Sequence, residues 1–109
     1  LRAGLAPIIG VTEIRTVAAD DLWLSPAYGQ DIVEIHFNWQ KKWAAVQHFL
    51  PTLEATLAPF QPRPHWGKLF GIAPAQVQAR YARLADFQAL AHTYDPQGKF
   101  RNAFLDAYL

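Results

Sequence analysis

Two short polar pairs in this chain sit where strand geometry would bring their side chains together. The stretch IIGVTEIRTVA, residues 8–18, is rich in β-branched residues and reads as a strand. Its odd-numbered face runs Ile9, Val11, Glu13, Arg15, Val17, so a carboxylate and a guanidinium interrupt an aliphatic row. Side chains at i and i+2 share a face, and Glu13 can meet Arg15. An ion pair at a sheet rim explains them; so does a part-buried pair facing a pocket, since burying such a pair adds little stability of its own. In DIVEIHFNW, residues 31–39, Val33, Ile35, Phe37 and Trp39 alternate with Glu34, His36 and Asn38. That polar face can simply be wet. It can also handle hydroxyl groups, because an imidazole takes a proton and an amide both donates and accepts. A third candidate is RPHWGKLF, residues 63–70, where Pro64 and Gly67 bracket His65, Trp66 and Lys68. It reads either as a surface loop with an anchoring indole or as a rigid arm presenting His65 and Lys68 to a ligand.

The elements that must position these residues follow from the rest of the pattern. Residues 1–7 read as loop closed by Pro7, and residues 19–29 carry turn chemistry around Ser25-Pro26 and Gly29, with a short extended piece at 22–24. Trp43, Val46, Leu50, Leu53 and Leu57 recur every three or four residues, which predicts an amphipathic helix. Pro51 inside it predicts a kink or a split near His48. Three prolines keep residues 58–70 out of regular helix, with 66–70 extended. Pro74 suits the first turn of a second helix, whose stripe is Val77, Tyr81, Leu84, Phe87 and Ala91 and which should end near Thr93. Residues 95–100, DPQGKF, form a turn, and Asn102 can cap a short helix running to Leu109. Strands followed by helices predict an α+β fold: an antiparallel sheet with helices covering one side.

Composition removes several classes of function. A net charge of +1 leaves no electrostatic footprint for nucleic acid or an anionic membrane surface. No apolar run approaches the ~18 residues that cross a bilayer, and the start lacks a basic segment followed by an apolar one. Without cysteine there is no disulfide or thiolate chemistry, which permits a cytoplasmic home. The four histidines show no metal-ligand spacing, so no metal is expected. Neither LSPAYG nor WGKLFG has the spacing of a nucleophile elbow or a phosphate loop. A chain that opens on Leu and contains no methionine reads as a piece or a processed product of a longer one.

Taken together, EIRTVAADDLWLSPAYG (13–29), EIHFNW (34–39), RPHWGKLF (63–70) and DPQGKFRNAFL (95–105) resemble, in order and spacing, the C-terminal part of alditol oxidases. These are relatives of xylitol oxidase and the sugar-1,4-lactone oxidases, within the vanillyl-alcohol-oxidase class of flavoproteins. The resemblance covers nearly the whole chain; PHWGK and the C-terminal stretch are its most specific parts. It implies that residues 1–109 are the last part of a two-domain bacterial enzyme, belonging to the substrate or cap domain, with 95–109 returning toward the FAD domain. FAD would be bound mainly by an N-terminal domain outside this chain, in cis.

The same resemblance assigns roles residue by residue. Glu13 and Arg15 match a Glu-x-Arg pair in the substrate pocket, His36 a strand histidine beside the substrate, and Lys68 a pocket lysine. His65 and Lys68 are implied to lie near the cofactor. Asn38 departs from the threonine that alditol oxidases carry there, which keeps hydrogen bonding but changes size. The implied reaction is oxidation of a CH–OH group of a polyol or sugar lactone by oxygen, giving hydrogen peroxide. His36 would accept the hydroxyl proton, Glu13 would accept hydrogen bonds from sugar hydroxyls, and Arg15 and Lys68 would stabilise negative charge. By itself the 109-residue chain is expected to be inactive. The alternative reading is a standalone α+β module binding a small ligand or a protein, which predicts a closed core and no large open apolar sheet face.

Overall fold

The computed structural model describes residues 2–109. Its two strands are β1, Ile9–Val17, and β2, Ile32–Trp39, paired antiparallel as a single hairpin-like sheet. Helices follow: α1, Arg2–Leu5, before the sheet, then α2, Trp43–Leu57, a 3-10 turn at Ala58–Phe60, α3, Pro74–Gln78, α4, Leu84–Tyr94, and α5, Ala103–Tyr108. The α+β class and both expected strands are present. Residues 2–5 form one helical turn where loop was expected, and Leu1 lies outside the described residues.

The strand alternation holds with one exception. A bulge between Ile9 and Val11 pairs Ile9 with Trp39, whereas Val11 pairs with Asn38. The extra residue turns Ile9 to the face shared by Ile14 and Trp39, away from Val11, Glu13 and Arg15. Gly10 allows the close approach: a Cβ there would stand 3.3 Å from the Asn38 carbonyl oxygen.

Pro51 does not split α2, which runs unbroken for 15 residues. Pro51 and Gln47 are both exposed, so the carbonyl of Gln47, which loses its intrahelical donor to the proline ring, faces water. The predicted helix from Pro74 does break. Its stripe survives, with Val77 and Tyr81 buried, but residues 79–83 leave the helical ladder. The cause lies far away in sequence: Arg63 Nε donates to the Arg80 carbonyl at 3.0 Å, and Leu84 N–H, which would have used that carbonyl, bonds Tyr81 instead. Residues 22–24, expected as a short extended piece, are turn, organised by the Asp20 carboxylate, which accepts from Leu22 N–H and the Ser25 hydroxyl.

The core is small: Ile8, Ala27, Val46, Leu50, Leu53, Val77 and Tyr81. The radius of gyration is 15.7 Å, against about 13 Å for a compact domain of this length. The helices were expected to cover one face of the sheet, and they do not. Ile14 is 70% exposed and Val33 64%, with Ile35 also open to solvent. In the middle of β2 the polar side chains are the more sheltered ones: Glu34 and His36 are half-buried, whereas Val33 and Ile35 are exposed.

Candidate active site

The register builds a polar patch on one face of the hairpin. Glu13 stands directly opposite His36, Arg15 opposite Glu34, and Val11 opposite Asn38. Directly opposed residues point the same way, with Cβ atoms roughly 5 Å apart, so Glu13, Arg15, His36 and Asn38 share one face. Arg15 Nη2 also donates to Glu13 Oε2 along the strand. Arg15 therefore has a carboxylate on each side, and Glu13 lies between a guanidinium and an imidazole. Glu34 is the member that the sequence pattern did not single out. Alternation placed it on this face, but only the register shows it across from Arg15. The patch carries groups that can bind hydroxyls: carboxylates accept, the amide of Asn38 does both, and His36 can take or return a proton.

The second candidate region is the segment 62–71, and its polar side chains divide the work. Arg63 is a clamp. Besides Arg80, its Nη1 donates to the carbonyls of Pro26 and Tyr28, each at 3.0 Å, and its guanidinium lies 5.5 Å from the centre of the Tyr81 ring. Arg80 returns the tie by donating to the Pro62 carbonyl. Trp66 Nε1 donates to the Leu24 carbonyl at 2.8 Å while its ring packs on Tyr81 at 5.0 Å. The Glu54 carboxylate on α2 accepts from Gly71 N–H at 2.6 Å. The segment is thus tied to the loop that joins the two strands and to α2. Tyr81, at the centre of this packing, has a buried hydroxyl with no hydrogen-bond partner. Burial pushes its pKa up to about 12, against the opposing pull of the Arg63 and Arg80 charges.

His65 and Lys68 are exposed. The Gly67 N–H donates to His65 Nδ1 at 3.0 Å, and Lys68 N–H donates to the His65 carbonyl at 3.0 Å. Lys68 Nζ has no hydrogen bond or ion pair among the described residues, and none joins it to the sheet face. Glycine at position 67 could let the backbone pass close to neighbours. A Cβ there would meet nothing nearer than His65 Cε1, at 3.4 Å, so close approach is not what glycine supplies at this position.

The C-terminal stretch proves to be a brace. Asp95 accepts from the N–H groups of Lys99 and Phe100 at 2.8 and 2.9 Å, and Gly98 turns through a φ of +67°. Asn102 Oδ1 caps α5 by accepting from Leu105 N–H at 2.9 Å, as its position predicted. Phe104 then packs edge-on to Trp66 and Phe70, and the Tyr108 hydroxyl donates to the Ile72 carbonyl. The two most specific stretches of the sequence therefore meet in one aromatic cluster.

The structure unites Glu13, Arg15, His36 and Asn38, and holds His65 and Lys68 on a separate clamped turn. Open cavities lie elsewhere, among them one of about 290 Å³ beside Arg63 and Arg80 and one of about 460 Å³ along α4 and the 95–101 loop. None of the six candidate residues lines either. Among the described residues no three His, Asp or Glu side chains gather to hold a metal, and no helix is long and apolar enough to cross a membrane.

Comparison with known proteins gives this architecture a class. Residues 6–108 match the family model of D-arabinono-1,4-lactone oxidase, and the chain belongs to that family. An alditol oxidase from Streptomyces sp. (strain IKD472 / FERM P-14339) is 50% identical over 105 residues, covering 96% of this chain and 25% of that protein. An L-gulono-1,4-lactone dehydrogenase from Mycobacterium tuberculosis is 32% identical over 98 residues, and an L-gulonolactone oxidase from Scyliorhinus torazame 28% over 97. The chain spans about a quarter of the length of these relatives.

Proposed function

We propose that this chain is the C-terminal, substrate-facing part of an FAD-dependent oxidoreductase that oxidises the CH–OH group of an alditol or a sugar lactone. The carrying observation is the register that gathers Glu13, Arg15, His36 and Asn38 on one face, in a chain of the lactone oxidase family. Residues 1–109 are read as cap domain, with 95–109 leading back toward an FAD-binding domain supplied in cis by the rest of the protein. The open apolar face of the hairpin and the small core weigh against the standalone module.

The donor set fits a flavin partner in its chemistry. Lys68 is a cation with no partner among the described residues, carried on a clamped turn, and it suits a group that becomes anionic on reduction. Bound FAD would supply the two-electron oxidising capacity, returned to oxygen as hydrogen peroxide. The residues of this chain do the rest. Glu13 and Asn38 hold the hydroxyls of the polyol or lactone. His36 takes the proton of the reacting hydroxyl, and Glu13 across the ladder balances the charge the imidazole gains. Arg15, held by Glu13, and Lys68 face negative charge as it develops.

Anaerobic rapid mixing of the whole flavoprotein with xylitol, or with a sugar-1,4-lactone, tests this reading. The flavin absorbance should bleach with one of the two substrate classes and return with oxygen, with one peroxide released per turnover. A protein that binds no flavin, or a flavin that neither class reduces, contradicts it.

A further inference from the structure

His65 is the one polar side chain of the RPHWGK turn whose bond stays within the turn. Arg63 and Trp66 reach out to carbonyls on the strand-joining loop. The His65 ring instead turns back on its own backbone, accepting the Gly67 N–H at Nδ1, while the His65 carbonyl accepts Lys68 N–H. The turn is closed twice by the same residue, immediately before the lysine it carries. An accepting Nδ1 places the neutral ring's proton on Nε2, so the nitrogen nearer the backbone is committed to structure.

We propose that His65 is a positioning residue: its imidazole locks the 65–68 turn so that Lys68 is held in one orientation. This rests on the reading that Lys68 serves the oxidation site. A cation stabilises developing charge fully only if it is oriented before the charge appears. Lys68 stands directly after Gly67, whose backbone is the least restricted of any residue. The Gly67 N–H is the group whose orientation the imidazole fixes. His65 replaces on this turn what an Asx side chain does on others, since the Oδ1 of asparagine sits the same number of bonds from Cα as Nδ1 of histidine and accepts from the N–H two residues on.

That equivalence supplies the experiment, made in the whole flavoprotein. His65→Leu removes the acceptor and keeps bulk; His65→Asn restores the acceptor without an imidazole. Two readouts are taken: the rate of flavin reduction by substrate, and hydrogen exchange at the Gly67 amide, which does not depend on turnover. His65→Leu should slow flavin reduction about tenfold, the range of one hydrogen bond, and speed Gly67 exchange by a similar factor. His65→Asn should stay within about threefold of wild type in both. In a Lys68→Met background, His65→Leu should cause no further loss of rate, because it acts through the lysine. The proposal is overturned if Lys68→Met slows reduction while His65→Leu does not, or if leucine and asparagine impair it equally, which would make the imidazole itself the working group. If Lys68→Met leaves both flavin reduction and reoxidation unchanged, it is the proposed function of the lysine that fails, and the exchange at Gly67 still decides whether the lock exists.

Discussion

The hairpin face and the 62–71 segment reach order by opposite routes. On the hairpin, four candidate side chains are placed by the pleat alone: each is where it is because of its parity and its partner across the ladder. Among the described residues no distant side chain bonds them, and the apolar reverse of the same strands is open to solvent. In the segment almost nothing is placed by local periodicity. Arg63, Trp66 and Glu54 fix the backbone through bonds spanning 17 to 42 residues. A site can therefore combine a face whose side chains are easily exchanged with an arm whose backbone is not. The first kind suits substrate choice; the second suits a charge that must not move.

If the segment is a clamp, its largest liability is Arg63. Arg63→Met keeps the apolar stem but leaves three carbonyls without their charged donor, and should lower the stability of the whole protein by about 4 kcal/mol, read by urea unfolding. A loss below about 1 kcal/mol would make the clamp ornamental. Next is the lysine it supports. Lys68→Met should slow flavin reduction or reoxidation at least about 100-fold, roughly 2.7 kcal/mol, with stability nearly unchanged. Rapid-mixing absorbance separates the half-reactions, and rates within a few-fold of wild type would leave Lys68 a solvated loop residue.

The clamp also carries a pH signature. Tyr81 is raised to about 12 in the folded protein by burial, against about 10 in an unfolded chain. Below pH 10 both states hold the proton and the contribution is complete. Between pH 10 and 12 the unfolded state releases it first, so stability falls as pH rises, by an amount on the order of 2 kcal/mol. Tyr81→Phe should flatten that part of the profile relative to wild type; a parallel pair of curves would show that the hydroxyl is solvated. The smallest effect belongs to the hairpin. Asn38→Thr should change relative efficiency among xylitol, sorbitol and glycerol by roughly 1–3 kcal/mol of discrimination, with little change in stability. Unchanged ratios would take Asn38 away from the substrate.

What was legible in the sequence divides along the same line. Alternation in residues 31–39 and β-branching in 8–18 were enough to put Glu13, Arg15, His36 and Asn38 on coherent faces, because a strand's period depends only on neighbours. The bulge that turns Ile9 over was not visible, since a glycine near a strand end has many uses. The pairing of Arg15 with Glu34 needed the register. The break at 79–83 could not be read from Val77, Tyr81 and Leu84, whose helical spacing is intact; it is imposed by Arg63, 17 residues upstream. A faint signal did exist there. An arginine fixed between Pro62 and Pro64 has its backbone restrained on both sides, which suits a side chain with a set target. The open apolar face was missed for a different reason: helices after strands suggested a cover, and the helices of this chain pack elsewhere.

The central claim is that the hairpin face and the clamped turn serve one site, although no bond joins Lys68 to that face among the described residues. A crystal structure of the whole protein with bound xylitol tests it most directly. The expected result is a polyol hydrogen-bonded to the Glu13 carboxylate, with His36 at the reacting hydroxyl and Lys68 Nζ within hydrogen-bonding reach of the polyol or the flavin. A polyol bound away from the Glu13–His36 face, or a Lys68 pointing into solvent with substrate in place, would contradict it.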